Sequence, residues 1–160
     1  MPDSADKRIN ILNQKEVEEV YGFPRFSDEE RIIYFALTPP EQQLVDIHRS
    51  LASKVCCILQ LGYFKANKRL FDLDEAERDI RWVIEHYFPE SKSINIKIPK
   101  STRIDQQTRI LDLFEYRLCD QTMRADLFKK ALHIARVSSK PVFVFKELAG
   151  YLDKNRVILP

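Results

Sequence analysis

The sequence has little glycine, no long apolar run, and no spaced set of histidines or cysteines. Three glycines in 160 residues, with 31% charged residues, leave few sites for tight turns and favour helices. No apolar stretch reaches the roughly 20 residues needed to cross a bilayer. The polar, acid-bearing opening MPDSADKRIN does not read as a signal peptide, so no membrane partner is expected. Cys56, Cys57 and Cys119 show no metal-ligand spacing, and adjacent Cys56 and Cys57 make a poor disulfide pair. They read as small core hydrophobes in a reducing compartment. His48, His86 and His133 fall on three separate predicted helices, without the paired spacing of a zinc site. A phosphate-binding glycine loop and a nucleophile elbow are both missing. The carboxylates lie nearly all in helix starts or acidic faces, where capping and solubility account for them. No residue is assigned a catalytic or metal-binding role, and no cofactor is expected for this chain.

What is present centres on residues 38–71, TPPEQQLVDIHRSLASKVCCILQLGYFKANKRLF. Thr38, two prolines and Glu41 form a strong helix start. Leu44, Ile47, Leu51, Val55, Ile58 and Gly62 then recur at three- and four-residue steps along one helical face. Around residues 55–64 the apolar side chains spread about the axis, which predicts a central helix with neighbours on several sides. The pattern buries Val55, Ile58 and Leu59 and leaves Lys54, Lys65 and Arg69 at the surface. No Asp or Glu lies between Asp46 and Asp72.

Further helices are predicted on either side. Residues 1–10 read as a frayed tail. Residues 13–21 form a short helix stopped by Gly22 and Pro24, and residues 27–35 one that opens on the capping pair Ser27 and Glu30. Residues 74–88 form a helix started by Asp74 and Glu77, with Ala76, Ile80, Val83, Ile84 and Tyr87 inward and Trp82 at the margin. Residues 89–101, PESKSINIKIPKS, lose helical period and read as an extended linker, with an edge strand as the alternative. Three helices follow, over 104–119, over 121–137 with Asp120 as cap, and from Pro141 to near Lys154. The last two, joined by a short polar turn, resemble a helix-turn-helix unit, although any antiparallel helix pair shares that pattern.

The net charge of +2 conceals an asymmetry. Residues 1–90 hold 12 Lys/Arg against 17 Asp/Glu, whereas residues 91–160 hold 14 against 7. A basic half beside an acidic one points to an anionic partner. The candidate contacts on the central segment are Arg49, Lys54, Lys65, Lys68 and Arg69. Lys92, Lys97 and Lys100 of the linker could follow a phosphate backbone, and solubilising a linker explains them equally well. Arg103, Arg109, Arg117 and Arg124 continue the series, as do Lys129, Lys130, Arg136 and Lys140. A solvated basic face would account for the same residues.

The order of these features resembles the N-terminal region of transposases of the class II, replicative, Tn-three family. ILNQKEVEEVYGFP followed by FSDEERIIYFALTPPEQQLV is similar to that family's opening, a short acidic helix and then a leucine-threonine-proline step into a long helix. Arg49, Lys54, Gln60, Leu61, Tyr63, Lys65 and Arg69 fall at steps matching its arginine-rich segment, glutamine-leucine pair and tyrosine. Thr108 and Arg109 match its threonine-arginine step, and YLDKNRVILP resembles its lead into a further helix. Leu51, Ser53, Cys56, Cys57, Asp112 and Leu118 depart from the family pattern.

The resemblance implies a helical module that binds double-stranded DNA at transposon terminal inverted repeats. It implies a catalytic site, with magnesium, far downstream of this fragment, self-association through the regions beyond it, and a cytoplasmic, nucleoid-associated location. The expected architecture is all-α and two-lobed, with residues 1–90 as one lobe, 91–100 as linker and 101–160 as the second. An alternative is a helical protein-interaction module docking other subunits of a recombination complex.

Overall fold

A computed structural model describes residues 11–92 and 95–160; the expected tail at residues 1–10 lies outside them. The described chain is all-α, with eight helices and no β-strand. Local capping chemistry sets most helix starts. In α1 (Gln14–Tyr21) the Asn13 side chain accepts the Glu16 N–H at 2.9 Å while Glu16 accepts the Asn13 N–H at 2.8 Å. Ser27 and Glu30 repeat this exchange at α2 (Asp28–Tyr34), at 3.2 and 2.7 Å. Each exchange satisfies two orphan donors of a first turn. Asp120 caps α7 (Gln121–Ala135) by accepting the Met123 N–H at 2.8 Å, and Pro141 opens α8 (Pro141–Lys154).

The long helix expected from residue 38 is two helices, α3 (Pro39–Asp46) and α4 (Leu51–Asn67). The chain breaks because Ser50 can start a helix afresh: its hydroxyl accepts the Ser53 N–H at 3.1 Å. Ile47, placed by periodicity on the buried face, falls in the break and is exposed. The start expected at Asp74 is also displaced, since α5 (Glu77–Tyr87) begins after Ala76 without a side-chain cap. Helix α6 (Lys100–Phe114) begins within the expected linker and ends where Glu115 turns left-handed at φ 58°. Leu118, within the helix expected over 104–119, lies beyond that stop and is exposed.

Helix α4 is the hub of its unit. Every residue from 55 to 64 is buried, and α2, α3, α5 and α6 all pack against it. Gly62 makes one of these contacts possible, because a Cβ there would overlap the Phe35 ring at the end of α2. Tyr63 sits among Phe23, Phe26, Phe35 and Phe71 at ring separations of 5.0 to 6.1 Å. Three buried polar joins give each neighbour its position. Asp79 of α5 accepts hydrogen bonds from Arg31 of α2 at 2.7 Å and from the Tyr63 hydroxyl of α4 at 2.5 Å. Gln60 of α4 donates to Gln106 of α6 at 2.6 Å, and Gln106 donates onward to the Ser53 carbonyl at 2.8 Å. Lys65 of α4 donates to Glu41 of α3 at 2.9 Å and to the Ala36 carbonyl at 2.5 Å.

The chain divides into two compact units, one spanning Phe23–Arg117 and one joining the described residues up to Gly22 with Leu118–Pro160. This division differs from the expected boundary at residues 91–100. Gln106, Ile110 and Leu111 bury the inner face of α6 in the unit built on α4, so the linker connects parts of one unit. In the other unit Met123, Leu152 and Val157 form the core, with Cys119, Leu127, Tyr151 and Leu159 packed around it.

Two measurements check this construction. Asp79→Ala leaves Arg31, with a side chain only 14% exposed, with only the exposed Asp28 at 2.8 Å as partner, and should cost about 3 kcal/mol in urea denaturation, the low end for a broken buried pair. Burial pushes the Cys56 thiol from its ordinary 9.0 up to about 11 and Cys57 to about 12, and raises Tyr63 as well. All three stay protonated in the fold when the unfolded chain would ionise them. Their contribution is full below about pH 9 and is lost as pH climbs from there. The urea midpoint should therefore fall between about pH 9 and pH 11, and fall less in a Cys56→Ala, Cys57→Ala variant.

Candidate nucleic-acid interface

The expected contact residues separate into those held inside the fold and those left outside it. Lys65 belongs inside: its side chain is 17% exposed and its partner Glu41 5%. Lys68 ends α4 in the left-handed region at φ 53°. Its ammonium donates to the Lys65 carbonyl at 3.1 Å and lies 5.8 and 5.9 Å from the Phe64 and Phe114 ring centres. Arg69 is half-buried. Arg103 pairs with Asp72 at 2.8 Å, and Arg109 pairs with Asp105 one turn back at 2.9 Å, half exposed. Thr108, the other half of the threonine-arginine step, bonds the Ile104 carbonyl at 3.0 Å.

Lys54 and Arg109 lie in one neighbourhood around His48, in the break between α3 and α4. Burial chiefly lowers the His48 pKa; the Arg109 and Lys54 charges lower it further, against the opposing pull of Asp105. The His48 Nε2 is buried without a hydrogen-bond partner among the described residues. A neutral ring there is the consistent state. Arg49, Lys97, Lys100 and Arg117 are exposed.

The basic surface of the other unit is more concentrated. Residues 121–154 hold seven Lys/Arg against three Asp/Glu. Arg124, Lys129, Arg136 and Lys140 are exposed. The inward residues are Met123, Leu127 and Ile134 of α7, and Leu148 and Leu152 of α8. Between these helices lies a groove of about 560 Å³ lined by Lys130, Lys146, Glu147, Gly150, Tyr151 and Lys154. Lys130 Nζ stands 5.0 Å from the Tyr151 ring centre. Lys146 and Lys154 are absent from the contacts expected from sequence, which stopped at Lys140. The four-residue steps Lys146, Gly150, Lys154 would have placed them on one face.

Among the described residues, no three of His, Cys, Asp and Glu stand close enough to hold a metal ion. None of the described helices is long and apolar enough to cross a membrane.

The distinction between inside and outside cations is measurable. Lys65→Met strands the buried Glu41 carboxylate and should cost about 3–5 kcal/mol. Lys129→Met, on an exposed position, should change stability by within about 0.5 kcal/mol. Equal small effects in urea denaturation would remove Lys65 from the architecture.

No curated protein and no solved structure matches the chain. A family described as a domain of unknown function, DUF4158, matches residues 11–160. That match takes in both compact units and all eight helices, and the chain belongs to this family.

Proposed function

We propose that the chain is a DNA-binding module that recognises transposon terminal inverted repeats as the N-terminal part of a transposase. The observation that carries this reading is the surface of α7 and α8, where Arg124, Lys129, Arg136 and Lys140 are exposed and carry no ion pair among the described residues. Cations without acidic partners are the groups that can release counterions from a polyanion. The sequence resemblance to the Tn-three transposases supplies the biological setting, and the paired helices are compatible with a groove-inserted unit. In this reading lysines hold phosphates and arginines read guanine edges. The chain binds DNA and leaves strand cleavage and joining to residues elsewhere in a longer protein.

One observation favours a second reading, a protein-docking module. Phe128 and Leu132 are 66% and 53% exposed one turn apart on α7, and Val137 beyond its end is 80% exposed. An apolar stripe of this kind suits a protein partner.

Fluorescence anisotropy with labelled duplexes distinguishes the two. The DNA reading expects log affinity to fall by about 0.9 per phosphate contact for each tenfold rise in salt, and the element's own terminal repeat to bind more tightly than random duplex. It also expects no nicking or joining when magnesium is added. Absence of duplex binding at low salt would favour the docking module.

A further inference from the structure

We propose that the α7–α8 groove is a subsite for the sugar-phosphate backbone, held by Lys130, Lys146 and Lys154 and approached over Gly150. The subsite rests on the DNA-binding reading above, and names where one strand lies. Three ammonium groups face a single carboxylate, Glu147, on the groove lining, so the local field favours an anion. Lys146 and Lys154 are eight residues apart on α8, about 12 Å along the axis. That is about the axial rise of three to four phosphates on one strand of B-DNA. The groove therefore suits a run of phosphodiesters better than one isolated phosphate.

Gly150 is the second, independent observation. A glycine inside a helix is destabilising relative to alanine because it loses more backbone freedom on folding. Gly62 has a reason within the fold, the Phe35 ring. Gly150 has none: a Cβ built there meets nothing within 4 Å. It lies between the two lysines on the groove floor, where a missing side chain lets a ligand come close to the helix backbone. The walls are firmly built. Tyr151 packs against the core of its unit and stands under Lys130, and Asn155 donates to the Tyr151 carbonyl at 2.8 Å.

The full chain and a fluorescein-labelled duplex of random sequence test this by anisotropy across a salt series. The Lys146→Gln, Lys154→Gln double variant should bind more weakly, with a log–log salt slope shallower by about 1.8, two contacts at about 0.9 each. A Lys15→Gln, Arg81→Gln variant removes the same charge elsewhere and should keep the wild-type slope. Gly150→Leu keeps every cation and should weaken binding severalfold while raising the urea midpoint. Inorganic phosphate, compared with chloride at matched ionic strength, should not displace the duplex. If the wild-type chain binds no duplex at low salt, the DNA-binding reading and the subsite fall together. If the wild type binds but the double variant matches the wild type or the charge control, the subsite alone falls. Wild-type affinity in Gly150→Leu, or displacement by inorganic phosphate, overturns the backbone assignment in favour of a small-anion site or none.

Discussion

The Asp79 carboxylate is the contact on which the larger unit depends. Its two oxygens are divided between Arg31 and the Tyr63 hydroxyl, so one side chain of α5 sets the positions of α2 and α4 together. The hydrogen bond to Asp79 chiefly raises the Arg31 pKa, and burial raises that of Tyr63. A charge this deep is tolerated only where the opposite charge and a further donor meet it. Phe23 and Phe26 of the aromatic shell around Tyr63 line a pocket together with Arg31 and Asp79, so shell and pair are built into one corner of the unit.

The other neighbours of α4 follow the same plan with different chemistry. Helix α6 is joined by two neutral amides, Gln60 and Gln106, and α3 by the Lys65 and Glu41 charges. A helix buried along residues 55–64 has apolar contact in every direction, which binds neighbours firmly but lets them rotate and slide. The polar joins remove that freedom, because each has a direction and a length. Hydrophobic burial supplies the larger driving force, and the three joins select one arrangement from many of similar buried area.

Local features were legible in the sequence. The capping box at Ser27, the cap at Asp120 and the all-round burial of residues 55–64 follow from rules that act within a few residues. Partners far apart in sequence were not. Asp79 reads as one more acid in a solubilising flank, Glu41 as a helix-start residue and Lys65 as a surface cation, until the fold brings each to a partner 24 to 48 residues away. The break at Ser50 was missed because the apolar period continues across it, whereas a serine hydroxyl ended one helix and began the next. For the candidate interface, cationic character was legible, but its sorting into structural and free charges required the tertiary contacts. Gly150 could not be read as an open floor without knowing that nothing lies above it.

Lys65 carries one further consequence, for which residues can be exchanged. Its compact ammonium reaches a backbone carbonyl and a carboxylate from a nearly closed site. The planar fork of arginine needs more width and a different set of acceptors. Positions such as Lys129 or Lys140, whose ammonium groups face solvent, have no such restriction. For the stability of the fold, the two cationic side chains are therefore interchangeable on the outside of this molecule and distinct within it. An exchange that preserves charge along the whole chain would still leave the α3–α4 join mis-fitted at a single carbon stem.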